Sequence, residues 1–234
     1  MSHWRSIIPG MDFADRFVTV ADPLAAFEQT YFELGALAVL AASYPDLTAF
    51  SLAGWRFQDL QRHVTELLHE YAAVAEGVEY SPPIHVEWGL AMATAANRAR
   101  TAFRRRGYVA ERAPTPIGIQ PGSVVVQHVV NELTVHCWDL ATMMNRRNFF
   151  PDWLPERCQL SWQAFFDTYG RPAHNFDPEQ PAPPDATPTT RLAAYLGRKI
   201  PDLPVVLIRP GETPEVRNLL YQKLGRVPRS RSPF

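Results

Sequence analysis

His128, Glu132 and His136 follow one another at four-residue steps. On an α-helix that spacing places all three side chains on one face within about 12 Å of axial rise. Imidazole and carboxylate are ordinary ligands of zinc and related divalent ions. The face is not a solvent face: Val125, Val129, Leu133 and Leu140 lie in a narrow arc around it, so Glu132 belongs at or near the core. A buried carboxylate either takes up a proton or finds a cation. His63 supplies the other half, because Leu60 and Leu67 flank it along an apolar stripe and turn it inward as well. His63, Glu132 and His136 would make a His2Glu site, three protein ligands with one position left for water or substrate, which is the arrangement of reactive rather than structural sites. His128 is either a fourth ligand or a group one turn behind the ligands. Spacing alone also admits a plainer reading, in which the histidines are hydrogen-bonded core residues and Glu132 pairs with an arginine such as Arg62 or Arg98.

The elements that must hold these residues can be read from proline, which disrupts a helix interior at about 3 kcal/mol. Four long stretches contain none: Leu24 to Tyr44, Asp46 to Ser81, Ile84 to Ala113 and Gly122 to Phe150. The first opens on Asp22-Pro23, an acidic N-cap with proline at the first helical position, and carries Phe27, Tyr31, Leu34, Ala38 and Ala41 at helical spacing. The second carries Phe57, Leu60, Val64, Leu67, Leu68 and Tyr71, with Gly77 at its end. The third runs through Trp88, Met92, Ala95, Ala99 and Phe103 into Arg104-Arg105-Arg106-Gly107, where positive charge meets the negative end of the helix dipole. The fourth is the helix of the histidines. Four amphipathic helices bury their stripes most simply against one another, so the expected class is all-α, a four-helix bundle over residues 20–150. The connections after the first and third helices are read as short and the middle one as longer.

Residues 151–200 are expected to add a helix from Pro155 to Tyr169, a proline-rich extended strap packed on the bundle, and a short helix from Thr189 to Leu196. Residues 1–19 read as an N-terminal extension. Residues 201–234 read as a C-terminal extension and tail, with a strand in Val205 to Ile208 and a helix near Pro214 to Leu224.

The chain has 234 residues, 46% of them hydrophobic and 20% charged, which is ample for a buried core. Its net charge of -1 gives no global positive field, so nucleic acid is not an expected partner. No apolar run is long enough for a membrane span and Met1 to Gly10 lacks a signal-peptide pattern, so a cytoplasmic protein is expected. Cys137 and Cys158 could form at most one disulfide and belong to no CxxC pair. Lys199 and Lys223 are the only lysines beside many arginines, a composition that points to a GC-rich bacterial genome.

Glu132-Leu133-Thr134-Val135-His136-Cys137-Trp138-Asp139-Leu140-Ala141 resembles the E-x-x-x-H-x-W-D-L-A motif of the DinB-like superfamily, in the branch related to the metal-binding N-terminal domain of mycothiol-dependent maleylpyruvate isomerase. Trp55, Asp59-Leu60 and His63 are similar to that branch's W-x-x-x-D-L-x-x-H signature, and the stretch from Asp185 to Arg198 resembles its ending. The resemblance covers roughly residues 20 to 200. It implies a four-helix bundle and a divalent ion, zinc first among candidates, at His63, Glu132 and His136. It also implies use of a low-molecular-weight thiol such as mycothiol. The residues after Gly197 are too few for the separate C-terminal domain of the isomerase.

The leading expectation is therefore a metal-dependent thiol transferase or isomerase acting on a small electrophilic molecule. The alternatives are a metal-dependent hydrolase, with His128 as the base, and a non-catalytic metal-binding bundle that dimerises. Trp138, Tyr31 and Trp88 are candidate pocket walls, with core packing as the plainer role of each. Asp139 either orients a ligand or pairs with an arginine. The Arg104 to Arg106 run either attracts an anion or is a solvated helix end.

Overall fold

A computed structural model of the chain describes residues 17–42, 51–52, 55–82, 88–115, 118–148, 150–173 and 175–201. They are mostly helical, with little sheet. The expected strand at Val205 to Ile208, the helix near Pro214 to Leu224 and the rest of the C-terminal extension fall outside them, as does nearly all of the N-terminal extension.

Four long helices come first. α1 spans Pro23–Ala42, α2 Phe57–Glu76, α3 Trp88–Phe103 and α4 Gly122–Met143. Asp22 caps α1 through Oδ1, which accepts from the N–H groups of Leu24 and Ala25 at 3.0 Å, satisfying two donors that no helical carbonyl reaches. α2 buries Phe57, Leu60, Val64, Leu67 and Leu68 on one side and ends at Gly77. α1 and α2 each pack against both α3 and α4. α4 differs from the expected one-sided helix. Val124, Val126, Val130 and Val135 are buried along with Val125, Val129 and Leu133, because α1, α2 and two later helices surround it. A helix buried on all sides is one enclosed by its neighbours.

The connections after α1 and α3 are not short turns. The first holds a two-stranded hairpin, β1 (Ser51–Leu52) against β2 (Trp55–Arg56), with Leu52 opposite Trp55. The second holds a 3-10 turn at Tyr108–Ala110 and a hairpin of β3 (Arg112–Thr115) and β4 (Gly118–Pro121), with Arg112 opposite Pro121. Pro114 and Pro121 exclude helix here but suit short edge strands. Gly122 opens α4 where any Cβ would overlap the Tyr108 carbonyl, so the turn and the helix meet at a spot that only glycine fits.

α5 (Trp153–Tyr169) packs on α4, and α6 (Pro188–Tyr195) packs on both. The proline-rich segment between them runs without regular structure. It is anchored by Phe176, whose ring lies 5.0 Å from Trp162 and 5.1 Å from Phe166, and by Gln180 N–H donating to the Ala194 carbonyl. Among the described residues no helix is long and apolar enough to cross a membrane. Both cysteines are buried free thiols.

Candidate metal centre

β2 and the start of α2 bring Trp55 and His63 to the C-terminal half of α4, where Glu132 and His136 wait one turn apart. One nitrogen from each imidazole and one Glu132 oxygen lie within 4.8 Å of one another. The closest approach is His136 Nε2 to Glu132 Oε2 at 3.3 Å, already the separation of about 3.3 Å that two donors keep around a tetrahedral ion with bonds near 2.0–2.1 Å. The His63 ring stands edge-on to His136, with centroids 4.8 Å apart, and makes no hydrogen bond among the described residues. Trp55 covers this corner, 4.9 Å from the His63 ring and 6.5 Å from His136.

The hydrogen bonds behind His136 fix what its front nitrogen can do. Asp139 Oδ2 accepts from His136 Nδ1 at 3.0 Å. The same carboxylate is gripped by Arg198, at 3.3 Å from Nε and 3.2 Å from the second guanidinium nitrogen. With its one proton on Nδ1, a neutral His136 turns a lone pair at Nε2 toward a carboxylate oxygen, and two lone pairs at 3.3 Å repel. A proton shared between the two groups relieves the conflict, as in the hydrogen bond of an imidazolium to a carboxylate, and so does a metal ion bound by both. A histidine whose rear N–H is held by a carboxylate is the usual support of a metal-bound imidazole.

The electrostatics agree. Burial alone would raise Glu132, but the His136 hydrogen bond and the positive fields of His128, His136 and His63 outweigh it and hold its carboxyl down at about 2. Burial pushes His63 down, and the neighbouring His136 adds to this, leaving it at about 4. His63 is therefore neutral, with a lone pair to offer. Burial would lower His136 too, yet its bonds to Asp139 and Glu132 raise it above its ordinary value. Burial works against ionised Asp139, while Arg198 and His136 more than compensate and lower it.

The other candidates divide. His128 stands behind Glu132, its Nε2 3.7 Å from Oε1, with its ring between Tyr71 at 5.3 Å and Trp162 at 6.0 Å. It is not among the clustered ligand atoms. Trp138 points to the opposite side of α4, its indole N–H donating to Thr190 Oγ1. Tyr31 stays between α1 and α3, bonded to Asn97 and covered by Arg100, so it forms no wall of this site. The Trp88 side chain lies outside the described residues. Neither arginine considered for Glu132 reaches it: Arg62 pairs with Asp59, and Arg98 with Glu76. Arg104 and Arg105 are engaged by Glu28 and Glu111. Arg198 as the partner of Asp139 was not identified from the chain, since nothing in its spacing ties residue 198 to residue 139. Its burial beside a carboxylate, visible only after folding, is the signal.

The group of a His, a Glu and a His can hold a metal ion. Chains similar to this one occur in mycobacteria. Two uncharacterized proteins of Mycobacterium tuberculosis, from strains CDC 1551 / Oshkosh and H37Rv, are each 28% identical over 191 residues, covering 76% of this chain and 99% of the relative. No protein-family profile matches the chain. No solved structure matches it.

Proposed function

We propose that this chain is a metal-dependent enzyme in which a divalent ion, zinc first among candidates, is held by His63, Glu132 and His136 inside a four-helix bundle of the DinB-like kind. The packing of α1 and α2 on both α3 and α4 supports the bundle. The observation that carries the metal site is the convergence of the three donors within 4.8 Å of one another, with His136 Nε2 and a Glu132 oxygen 3.3 Å apart. When bound, the ion supplies Lewis acidity and keeps a thiol sulfur deprotonated at neutral pH. The substrate class follows from the motif resemblance: a low-molecular-weight thiol of the mycothiol type, transferred to or used to isomerise a small electrophile.

The chain's own part is orientation and exclusion. Arg198 fixes Asp139, Asp139 fixes the His136 ring, and Trp55 shields the His63 edge from water. A hydrolytic reading needs a base on the open side, and His128 lies behind Glu132 instead. Thiol chemistry is therefore preferred to hydrolysis.

Elemental analysis of untagged protein should find about one divalent ion per chain. His136→Ala should abolish it and Glu132→Gln should weaken it; full retention in the alanine variant rejects the ligand set. Thermal shift with mycothiol, bacillithiol and glutathione tests the thiol. A metal-loaded protein indifferent to all three at millimolar concentration would rule out thiol use.

A further inference from the structure

A cavity of about 650 Å³ lies on the other side of α4 from the His-Glu-His cluster, within the range of about 300–1,000 Å³ typical of small-molecule sites. None of His63, Glu132 or His136 lines it. Trp138 forms part of its wall, Thr187 and Thr190 bring hydroxyls from the start of α6, and Arg146 and Arg147 stand where α4 ends.

The arginines reach this position through a backbone device. Asn145 adopts a left-handed conformation, φ 53°, the position that commonly terminates a helix. The turn lets Met144, Asn145 and Arg146 donate their N–H groups to the carbonyls of Leu140, Thr142 and Ala141. Those carbonyls are what a cation at a helix end would otherwise neutralise, and they are already satisfied. Neither guanidinium has an ion-pair partner among the described residues. The carboxylate in the lining, Asp185, leaves the pair with an excess of positive charge. α6 adds its positive end, with Thr187 as its cap.

We propose that this cavity is a second binding site, independent of the metal centre, for an oxyanion-bearing small molecule whose flat apolar part rests by Trp138 and whose carboxylate or phosphate is taken by Arg146 and Arg147. Guanidinium forks match both groups with paired hydrogen bonds. The metal-loaded full chain can be titrated calorimetrically with benzoate, phenyl phosphate and the neutral isostere benzamide. The expected result is saturable binding of at least one anion, about tenfold or more tighter than benzamide, weakening as sodium chloride is raised. The pair of anions decides between carboxylate and phosphate.

An Arg146→Gln, Arg147→Gln double variant should lose about tenfold or more in that affinity while keeping its bound metal and its circular dichroism. Equal binding of benzamide, unchanged binding by the double variant, or no saturation by either anion below about 10 mM would overturn the proposal. So would binding that vanishes when a chelator removes the metal, which would place the anion on the ion. The salt dependence is read on the unaltered protein, so the proposal stays testable even if the double variant folds poorly.

Discussion

Asp139 answers to two partners at once, and that makes it the residue on which ligand geometry turns. Replacing it by Asn swaps a charged acceptor for an amide and loosens the hold on the His136 Nδ1–H. Asp139→Asn should cost about 10–100-fold in metal affinity, the usual effect of losing such a supporting group, read by competition with a chelator; wild-type affinity would show that His136 needs no support. Protons compete for the same nitrogen. His136 is raised above 6.5, so below its folded value the ion must displace a proton, and affinity should climb with pH through that region and then level off. His63, at about 4, adds nothing there. A flat profile between about pH 5.5 and 8 would contradict this assignment. That Glu132 and His136 share a helix face was legible from their four-residue spacing, and that His63 turns inward from its apolar flanks, because both are local properties of a helix. The supporting partner Arg198 was not, because a contact across 59 positions leaves no local trace.

At the scale of elements, α1 is tied to α3 by Glu28, which accepts from Arg100 and Arg104 at 2.8 Å each. Burial works to raise Glu28, and the two arginines overcome it and lower its carboxyl from the usual 4.5. A lowered folded value means stability that is present above about 4.5 and is lost as pH falls through the lower value. Glu28→Gln should cost about 1 kcal/mol at neutral pH, discounted because Arg104 is largely exposed, and should cost nothing once the wild-type carboxyl is protonated. Denaturation at two pH values checks both. Gly197 forms the turn before Arg198: its φ is +91°, and a Cβ there would strike the Asp177 carbonyl. Gly197→Ala should therefore unseat the turn before Arg198 and lower metal affinity in step with Arg198→Ala; unchanged affinity would break that link.

The long helices could be read from proline-free windows and stripes, with Asp22 and Gly77 marking ends where expected. The hairpins could not, because strands of two to four residues carry too few alternations to show a period. The burial of α4 on every side also escaped, since it depends on how many neighbours surround a helix rather than on its own pattern.

For the molecule as a whole, a ligand that binds only the folded state stabilises it by mass action. With zinc about a hundredfold above its dissociation constant the gain is about 2.7 kcal/mol. For a chain of this size that is a rise of roughly 5–10 °C in Tm. A chelator should reverse it, and His136→Ala should show no response to either addition. A wild-type Tm indifferent to zinc and chelator alike would mean that no ion is bound to the native fold. The centre draws on Trp55 just before α2 and on Arg198 near the end of the described chain, beyond the proline-rich segment. On the proposed site, retention of the ion would be a signature of completed assembly. A molecule nicked in that segment, or one whose last turn has yet to dock, would shed its ion while keeping its helicity, so the ratio of metal to protein would count finished molecules where circular dichroism cannot.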